Sequence, residues 1–268
     1  MVYTYHRMIE DCVRGERRGW REFVSHYMPM ARRLLLRYGG QPEGDEARRL
    51  REIFTATAAD DHRFFRSFEG RTERELMVHF RNFVVAHVRS ARDAARSTGA
   101  PVAALEVLEQ ALAELTVLQR QAVWLFTMGY APADVAPIVN VKPETAAEII
   151  ASAQEKLRGK MDAWSEGSLR DSLDALREEL PARETADCYS YLVFHRIVDG
   201  QITWRDREVA LAHLARCFRC VDRFCVLQEV VCFSRALPPA PGAEVEAVLR
   251  ELGFPERKTK GVFARLFG

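Results

Sequence analysis

Three cysteines and one histidine between residues 188 and 220 place the strongest constraint on how this chain can fold. Cys188, His213, Cys217 and Cys220 form the pattern C-x24-H-x3-C-x2-C. Because His213 lies in a stretch with helical spacing, it falls one turn from Cys217 on the same face. Three thiolates and one imidazole suit a tetrahedral structural Zn²⁺, and four protein ligands leave no position for a catalytic water. The spacing therefore predicts a structural zinc site.

Two features of this region leave alternatives open. His195 is also within reach as the fourth ligand in place of Cys188, and a C-x2-C pair can instead serve in redox chemistry. The remaining cysteines of the region, Cys225 and Cys232, lie in the apolar run 224–233. We expect both to be small buried side chains rather than ligands.

The composition of the chain excludes several classes of protein. Its 39 Lys and Arg residues nearly balance its 38 Asp and Glu residues, whereas a dedicated nucleic-acid binder is usually more basic. We find no membrane-spanning apolar run and no signal-peptide core, so we expect a cytoplasmic protein with no membrane partner. Reduced thiols in that compartment favour a metal over a disulfide. No phosphate loop or nucleophile motif is present, so we expect neither an enzyme nor a small-molecule substrate.

Apolar residues recur at three- and four-residue spacing along most of the chain, which predicts an all-α protein. Breaks rich in glycine and proline divide it into four segments. Residues 1–98 form a helical bundle and residues 99–165 a helix-turn-helix domain. Residues 166–237 hold a connecting helix and a small helical zinc-binding domain, and residues 238–268 a linker and a basic tail.

The helix-turn-helix prediction rests on a short helix 131–139, a turn at Asn140 and Val141, and a second helix 144–160. Base edges and phosphates need hydrogen-bond donors and cations. In its first turns the second helix instead presents Glu144 and Glu148, which repel phosphate. The candidate DNA-contacting residues are therefore few: Lys142, Thr145, Lys156 and Arg158.

The segment 188–220 resembles the zinc-binding anti-sigma domain. In that family a Cys or His precedes a short helix, an Asp-Gly turn and a second helix that delivers H-x3-C-x2-C. Asp199 and Gly200 occupy the turn. The resemblance implies an all-helical clamp that binds a sigma factor, with Val209, Leu211 and Leu214 facing a partner helix.

Two further stretches resemble the extracytoplasmic-function sigma factors. The order of motifs from Trp20-Arg-Glu-Phe through Glu52-Ile-Phe to Phe80-Arg-Asn-Phe is similar to region 2. The stretch from Leu115-Thr-Val-Leu-Gln-Arg to Leu157-Arg158 is similar to region 4. These resemblances imply a region 2-like bundle that docks on RNA polymerase and melts the −10 element, and a region 4-like domain that recognises the −35 element.

The chain departs from both sigma regions at residues that bind partners. Ala47 and Arg48 stand in a stretch that is acidic in the family. This reversal of charge should weaken binding at an interface that needs negative charge. Where the family's second helix carries basic residues, this chain has Ala147, Ile149, Ala151 and Ser152. We interpret the chain as a sigma-factor-like transcription regulator with a built-in zinc-binding anti-sigma-like domain that restrains the sigma-like domains. Core RNA polymerase and promoter DNA are then the expected partners. The alternative is a sigma-derived interaction scaffold that has lost promoter recognition.

Overall fold

The computed structural model describes residues 3–38, 46–93, 105–160 and 165–255. Within these ranges the protein consists of α-helices joined by turns, with one short 3₁₀ segment, so the all-α prediction is confirmed. None of the described helices combines the length and the hydropathy needed to cross a membrane. The chain forms two compact units, one made of residues 1–36, 41–73 and 237–268 and the other of residues 37–40 and 74–236.

Four helices make up the described part of the first unit: α1 (Tyr5–Val13), most of α2 (Arg17–Tyr38), α3 (Glu46–Arg66) and α13 (Gly242–Glu251). Aromatic side chains form its core. Phe23 is fully buried, and its ring centroid lies 5.6 Å from that of Phe54 and 5.0 Å from that of Phe65 in edge-to-face geometry. Such pairs stabilise a core beyond their buried area. The buried apolar side of α2 therefore faces these rings.

Helix α3 is interrupted near its end. Asp60, Asp61 and His62 have φ values of 51°, 54° and 59°, which lie in the left-handed region that few residues other than glycine adopt. The sequence predicts ordinary exposed helical residues at Asp60 and Asp61. They are exposed, but they are not helical. Arg66 donates a hydrogen bond of 2.8 Å from Nε to the carbonyl oxygen of Asp61, which helps to hold the break.

Helix α13 belongs to the first unit although it comes from the C-terminal segment predicted to be a linker and tail. Val245, Val248 and Leu249 are buried. The Glu244 carboxylate accepts a 2.6 Å hydrogen bond from Arg32, and Glu246 forms an ion pair with Arg17. An acidic amphipathic helix thus packs within this unit and pairs with arginines of α2. The predicted basic tail beyond residue 255 lies outside the described residues.

The second unit begins with α4 (Glu73–Asp93), which the sequence places in the first segment, and continues with α5 (Leu105–Ala113) and α6 (Val117–Thr127). A capping box between Thr116 and Gln119 starts α6. Helices α7 (Pro132–Val139) and α8 (Pro143–Arg158) follow and pack together. The turn between them begins at Asn140, whose φ of 59° ends α7, and Pro143 opens α8. Both helices form where the sequence predicts them.

The remaining helices of the second unit carry the cysteine and histidine cluster. They are α9 (Glu166–Glu179), the 3₁₀ segment Leu180–Arg183, α10 (Tyr191–Val198), α11 (Trp204–Leu214) and α12 (Phe218–Ala236). Gly200 has a φ of +67° in the turn from α10 to α11, a conformation that glycine adopts without steric cost. Helix α12 packs on α6, α7 and α10. It therefore joins the helix-turn-helix part of this unit to the cluster.

Candidate metal centre and its helical contacts

The four predicted ligands come together in the structure. Their ligand atoms all lie within 4.8 Å of one another. The Sγ atoms of Cys188 and Cys217 are 3.8 Å apart, and His213 Nε2 lies 3.1 Å from Cys220 Sγ. A tetrahedral ion with Zn–S bonds of about 2.3 Å holds its sulfurs about 3.8 Å apart. The donor set and its spacing therefore fit a zinc ion and leave no open position.

Three separate elements deliver the ligands. His213 lies in the last turn of α11, and Cys217 and Cys220 flank the start of α12. The Cys217 N–H donates to the His213 carbonyl over 3.0 Å, which fixes the short connection between the two helices. Cys188 comes from the loop before α10, where its N–H donates to the carbonyl oxygen of Thr185 over 3.0 Å. A bound ion would tie this loop to both helices.

The environment of the cluster gives its members different pKa values. Burial raises the pKa of Cys220 to about 12. At Cys188 burial also acts to raise the pKa, but hydrogen bonds with Thr185, Cys217 and Cys220 together outweigh it and lower the pKa of that thiol. Burial also lowers the pKa of His213, which keeps its imidazole neutral near pH 7. Because a metal binds thiolates and a neutral imidazole, loading the site displaces thiol protons and leaves the histidine as it is.

His195, the alternative fourth ligand, lies outside the cluster. Its side chain is buried, and its Nδ1 atom is 3.4 Å from Nη1 of Arg74 on α4. Burial and the neighbouring guanidinium lower its pKa. Cys188 is therefore the residue that completes the cluster. Cys225 is buried as predicted, but Cys232 is only partly buried.

Arg120 connects the cluster region to α6. The residue is fully buried and donates hydrogen bonds of 3.1 Å to the carbonyl of Leu112 and 3.0 Å to the carbonyl of Leu214. Leu214 directly follows the ligand His213. The cationic side chain is stabilised by carbonyl groups at the C-terminal ends of α5 and α11, where the helix dipoles favour positive charge. Burial lowers the pKa of Arg120.

Phe218 and Asp222 of α12 extend this contact. The Phe218 ring stacks on Trp124 of α6 with centroids 6.3 Å apart and an interplanar angle of 5°. The guanidinium of Arg120 lies 5.0 Å from the centre of the Phe218 ring. Trp124 donates from Nε1 to the Asp222 carboxylate over 3.0 Å. The first two turns of α12, which also carry Cys220, thus contact α6.

A buried polar network at Glu229 joins α12 to α4 and to the turn before α7. Glu229 is fully buried, and its Oε2 accepts a 2.8 Å hydrogen bond from Nε of Arg81. Its Oε1 accepts hydrogen bonds from the hydroxyls of Tyr38, at 3.3 Å, and Tyr130. Burial and the Glu229 carboxylate raise the pKa of Tyr130 well above its usual value. The sequence did not lead us to predict this network, although a single glutamate inside the apolar run 224–233 indicates a buried cationic partner.

The Asp-Gly turn makes a further contact with α4. The Asp199 carboxylate accepts a 2.5 Å hydrogen bond from Arg74, which lowers the pKa of that carboxyl. Of the three residues predicted to face a partner helix, Leu214 is buried, Leu211 is half-buried and Val209 is 56 % exposed. Ala210 and Leu214 form the buried side of α11. Val209 lies about 100° around the helix from Ala210 and therefore falls outside that side.

The candidate DNA-contacting residues do not form one cluster. Lys142 precedes α8 and is exposed, and Thr145 is half-buried in the first turn. Lys156 donates a 3.0 Å hydrogen bond to the side chain of Gln119 on α6. Arg158 lies on another side of α8, since two helical positions separate it from Lys156 by about 200°. The exposed surface of α8 also carries Glu144 and Glu148, so its charge is mixed.

Comparisons of the chain with protein-family models, with curated proteins and with solved structures find no match in any of the three.

Proposed function

We propose that this protein is a sigma-factor-like transcription regulator whose zinc-binding segment restrains its own helix-turn-helix part. The observation that carries the proposal is the contact of α12 with α6 and α7, which starts at Phe218, between the candidate ligands Cys217 and Cys220. In sequence, the segment that ends at Cys220 resembles an anti-sigma domain, and α6 to α8 resemble sigma region 4. Because both lie in one chain, their effective local concentration reaches roughly millimolar without a second molecule.

The zinc ion has a specific part in this proposal. It would hold the loop at Cys188, the end of α11 and the start of α12 in one arrangement. Arg120 and Trp124 of α6 contact the backbone at Leu214 and the side chain of Asp222 in the same arrangement. Loss of the ion would therefore weaken the restraint. A structural site of this kind contributes to folding free energy rather than to catalysis.

The surface of α8 favours a second candidate function. Its exposed positions include the acidic residues Glu144 and Glu148, the basic residues Lys156 and Arg158, and the small residues Ala147 and Ala151. Such a surface repels phosphate as strongly as it attracts it. The alternative is accordingly an interaction scaffold that keeps the helical arrangement but does not recognise promoter DNA.

Co-elution with core RNA polymerase tests the proposal. The full-length chain, its Cys217→Ser/Cys220→Ser variant and the matched control Cys232→Ser are each mixed with core enzyme and separated by size. We expect the double variant to co-elute and the other two to remain largely free. Binding by none of the three, with all folded by circular dichroism, supports the scaffold instead. Equal binding by all three contradicts the restraint.

A further inference from the structure

A groove of about 760 Å³ lies in the second unit between its helix-turn-helix part and its zinc-binding segment. Helices α6 and α7 form one wall, α10 and α11 the other, and α12 the floor. The side chains of the walls are mainly apolar: Val117, Leu118, Ile138, Val139, Ile197 and Val198. This size and this lining are typical of sites that bind small organic molecules.

Two amide side chains line the groove, those of Gln121 on α6 and Gln228 on α12. Gln121 is only 5 % exposed. The Oε1 atom of Gln228 is buried and has no hydrogen-bond partner among the described residues. Buried polar groups are normally hydrogen-bonded, so this oxygen points to a ligand that supplies a donor.

The charges of the groove are of one sign. Arg207 and Arg235 are lining residues, and no carboxylate is among the described residues that line it. Arg235 lies 3.6 Å from the Asp199 carboxylate, which neutralises it in part. Arg207 is exposed and forms no ion pair within the described part of the chain. An anionic group on the ligand would therefore find an available guanidinium at Arg207.

We propose that this groove binds an amphipathic carboxylate, a molecule with an apolar chain and, near its carboxylate, a hydroxyl or N–H donor. The apolar chain would lie between α6 and α10, the carboxylate would meet Arg207, and the donor would satisfy Gln228. Such a ligand would contact the helix-turn-helix part and the zinc-binding segment together. The inference does not depend on the proposed transcriptional role, since it rests on the lining of the groove alone.

Isothermal titration of the zinc-loaded full chain with 3-hydroxydecanoate tests the site, with 1-decanol as the neutral probe of equal chain length. We expect micromolar binding of the hydroxy acid and binding of the alcohol at least about tenfold weaker, the effect of one charge-assisted hydrogen bond. Arg207→Ala should weaken the binding of the hydroxy acid by a similar factor. Leu118→Trp should abolish that binding by filling the groove. Arg205→Ala is the matched control, because Arg205 is exposed on the same helix but does not line the groove.

Three results would overturn this inference. The first is the absence of any binding of the hydroxy acid to the folded chain. The second is equal affinity for the acid and the alcohol, which would remove the role of charge. The third is an equal loss of affinity in Arg205→Ala and Arg207→Ala, which would place the ligand elsewhere. Because both arginines are exposed, neither variant should disturb folding, and circular dichroism verifies this.

Discussion

At the scale of single residues, buried charged side chains affect the stability of the second unit. Arg81 and Glu229 are both removed from water and satisfy each other. Removing one partner of such a pair leaves an uncompensated charge in a low dielectric, which costs far more than the pair contributes. The pair therefore links α12 to α4 at a buried point. We expect it to contribute specificity more than stability.

Replacing Glu229 by alanine should lower the free energy of unfolding by about 3–5 kcal/mol, because the Arg81 guanidinium is left buried without a carboxylate. The double variant Arg81→Met/Glu229→Leu should be less destabilised than that single variant. Urea denaturation followed by circular dichroism measures both. Glu178→Ala, at an exposed position, is the control. A double variant that is less stable than Glu229→Ala would contradict this account.

The Asp199 carboxyl should make stability depend on pH. Its hydrogen bond from Arg74 lowers its pKa in the folded state below the ordinary value of 3.8. A depressed folded pKa contributes stability that is present above the ordinary value and is lost as the pH falls through the folded pKa. The contribution is on the order of 1 kcal/mol or less, since Arg74 is partly exposed.

Thermal unfolding between pH 5 and pH 2.5 measures this dependence. The wild-type chain should lose more stability over that range than Asp199→Asn, which has no carboxyl to protonate. Asp206→Asn provides a comparison at an exposed carboxyl of the next helix. Parallel curves for the wild-type chain and Asp199→Asn would show that the contact with Arg74 does not stabilise the folded state.

At the scale of elements, the helices and the metal ligands were predictable because they depend on local spacing. The bounds of α11 and the positions of α7 and α8 follow from apolar period, from Asn140 and from Pro143. The packing of α13 within the first unit was not predictable, since it depends on contacts between residues far apart in sequence, such as those of α13 with α3 and of Arg32 with Glu244. The break at Asp60 also carries no glycine or proline signal. Local patterns therefore predict helices and ligands but not which helices pack together.

Helix α13 should be held mainly by its buried apolar side. Leu249→Asp should release it from the first unit at a cost of about 2–5 kcal/mol, because a charge enters a fully buried site. Hydrogen exchange in residues 242–251 measures the release. Ala243→Asp is the matched control, since that position is exposed and a carboxylate favours the first turn of a helix. Unchanged exchange in Leu249→Asp would contradict this packing.

At the scale of the whole molecule, the second unit combines a Cys3His cluster that could hold a metal ion with helices that pack against the cluster's own helices. The donor set at Cys188, His213, Cys217 and Cys220 was predicted from sequence and comes together in the structure. What joins it to the rest was not predicted, because Arg120, Trp124 and Glu229 each pair with residues more than 90 positions away. The restraint that we propose depends on these contacts. The bound ion would organise only the part of the chain that makes them.

Hydrogen exchange with and without zinc tests this claim most directly. The chain should bind one zinc ion. A chelator that removes the ion should increase hydrogen exchange in residues 185–217, and also in α6 because the Arg120 and Trp124 contacts are lost. Exchange in the first unit, α1 to α3, serves as the internal reference and should not change. Increased exchange confined to residues 185–217, with α6 unaffected, would contradict the account, since the metal would then organise its own segment without restraining the helix-turn-helix part.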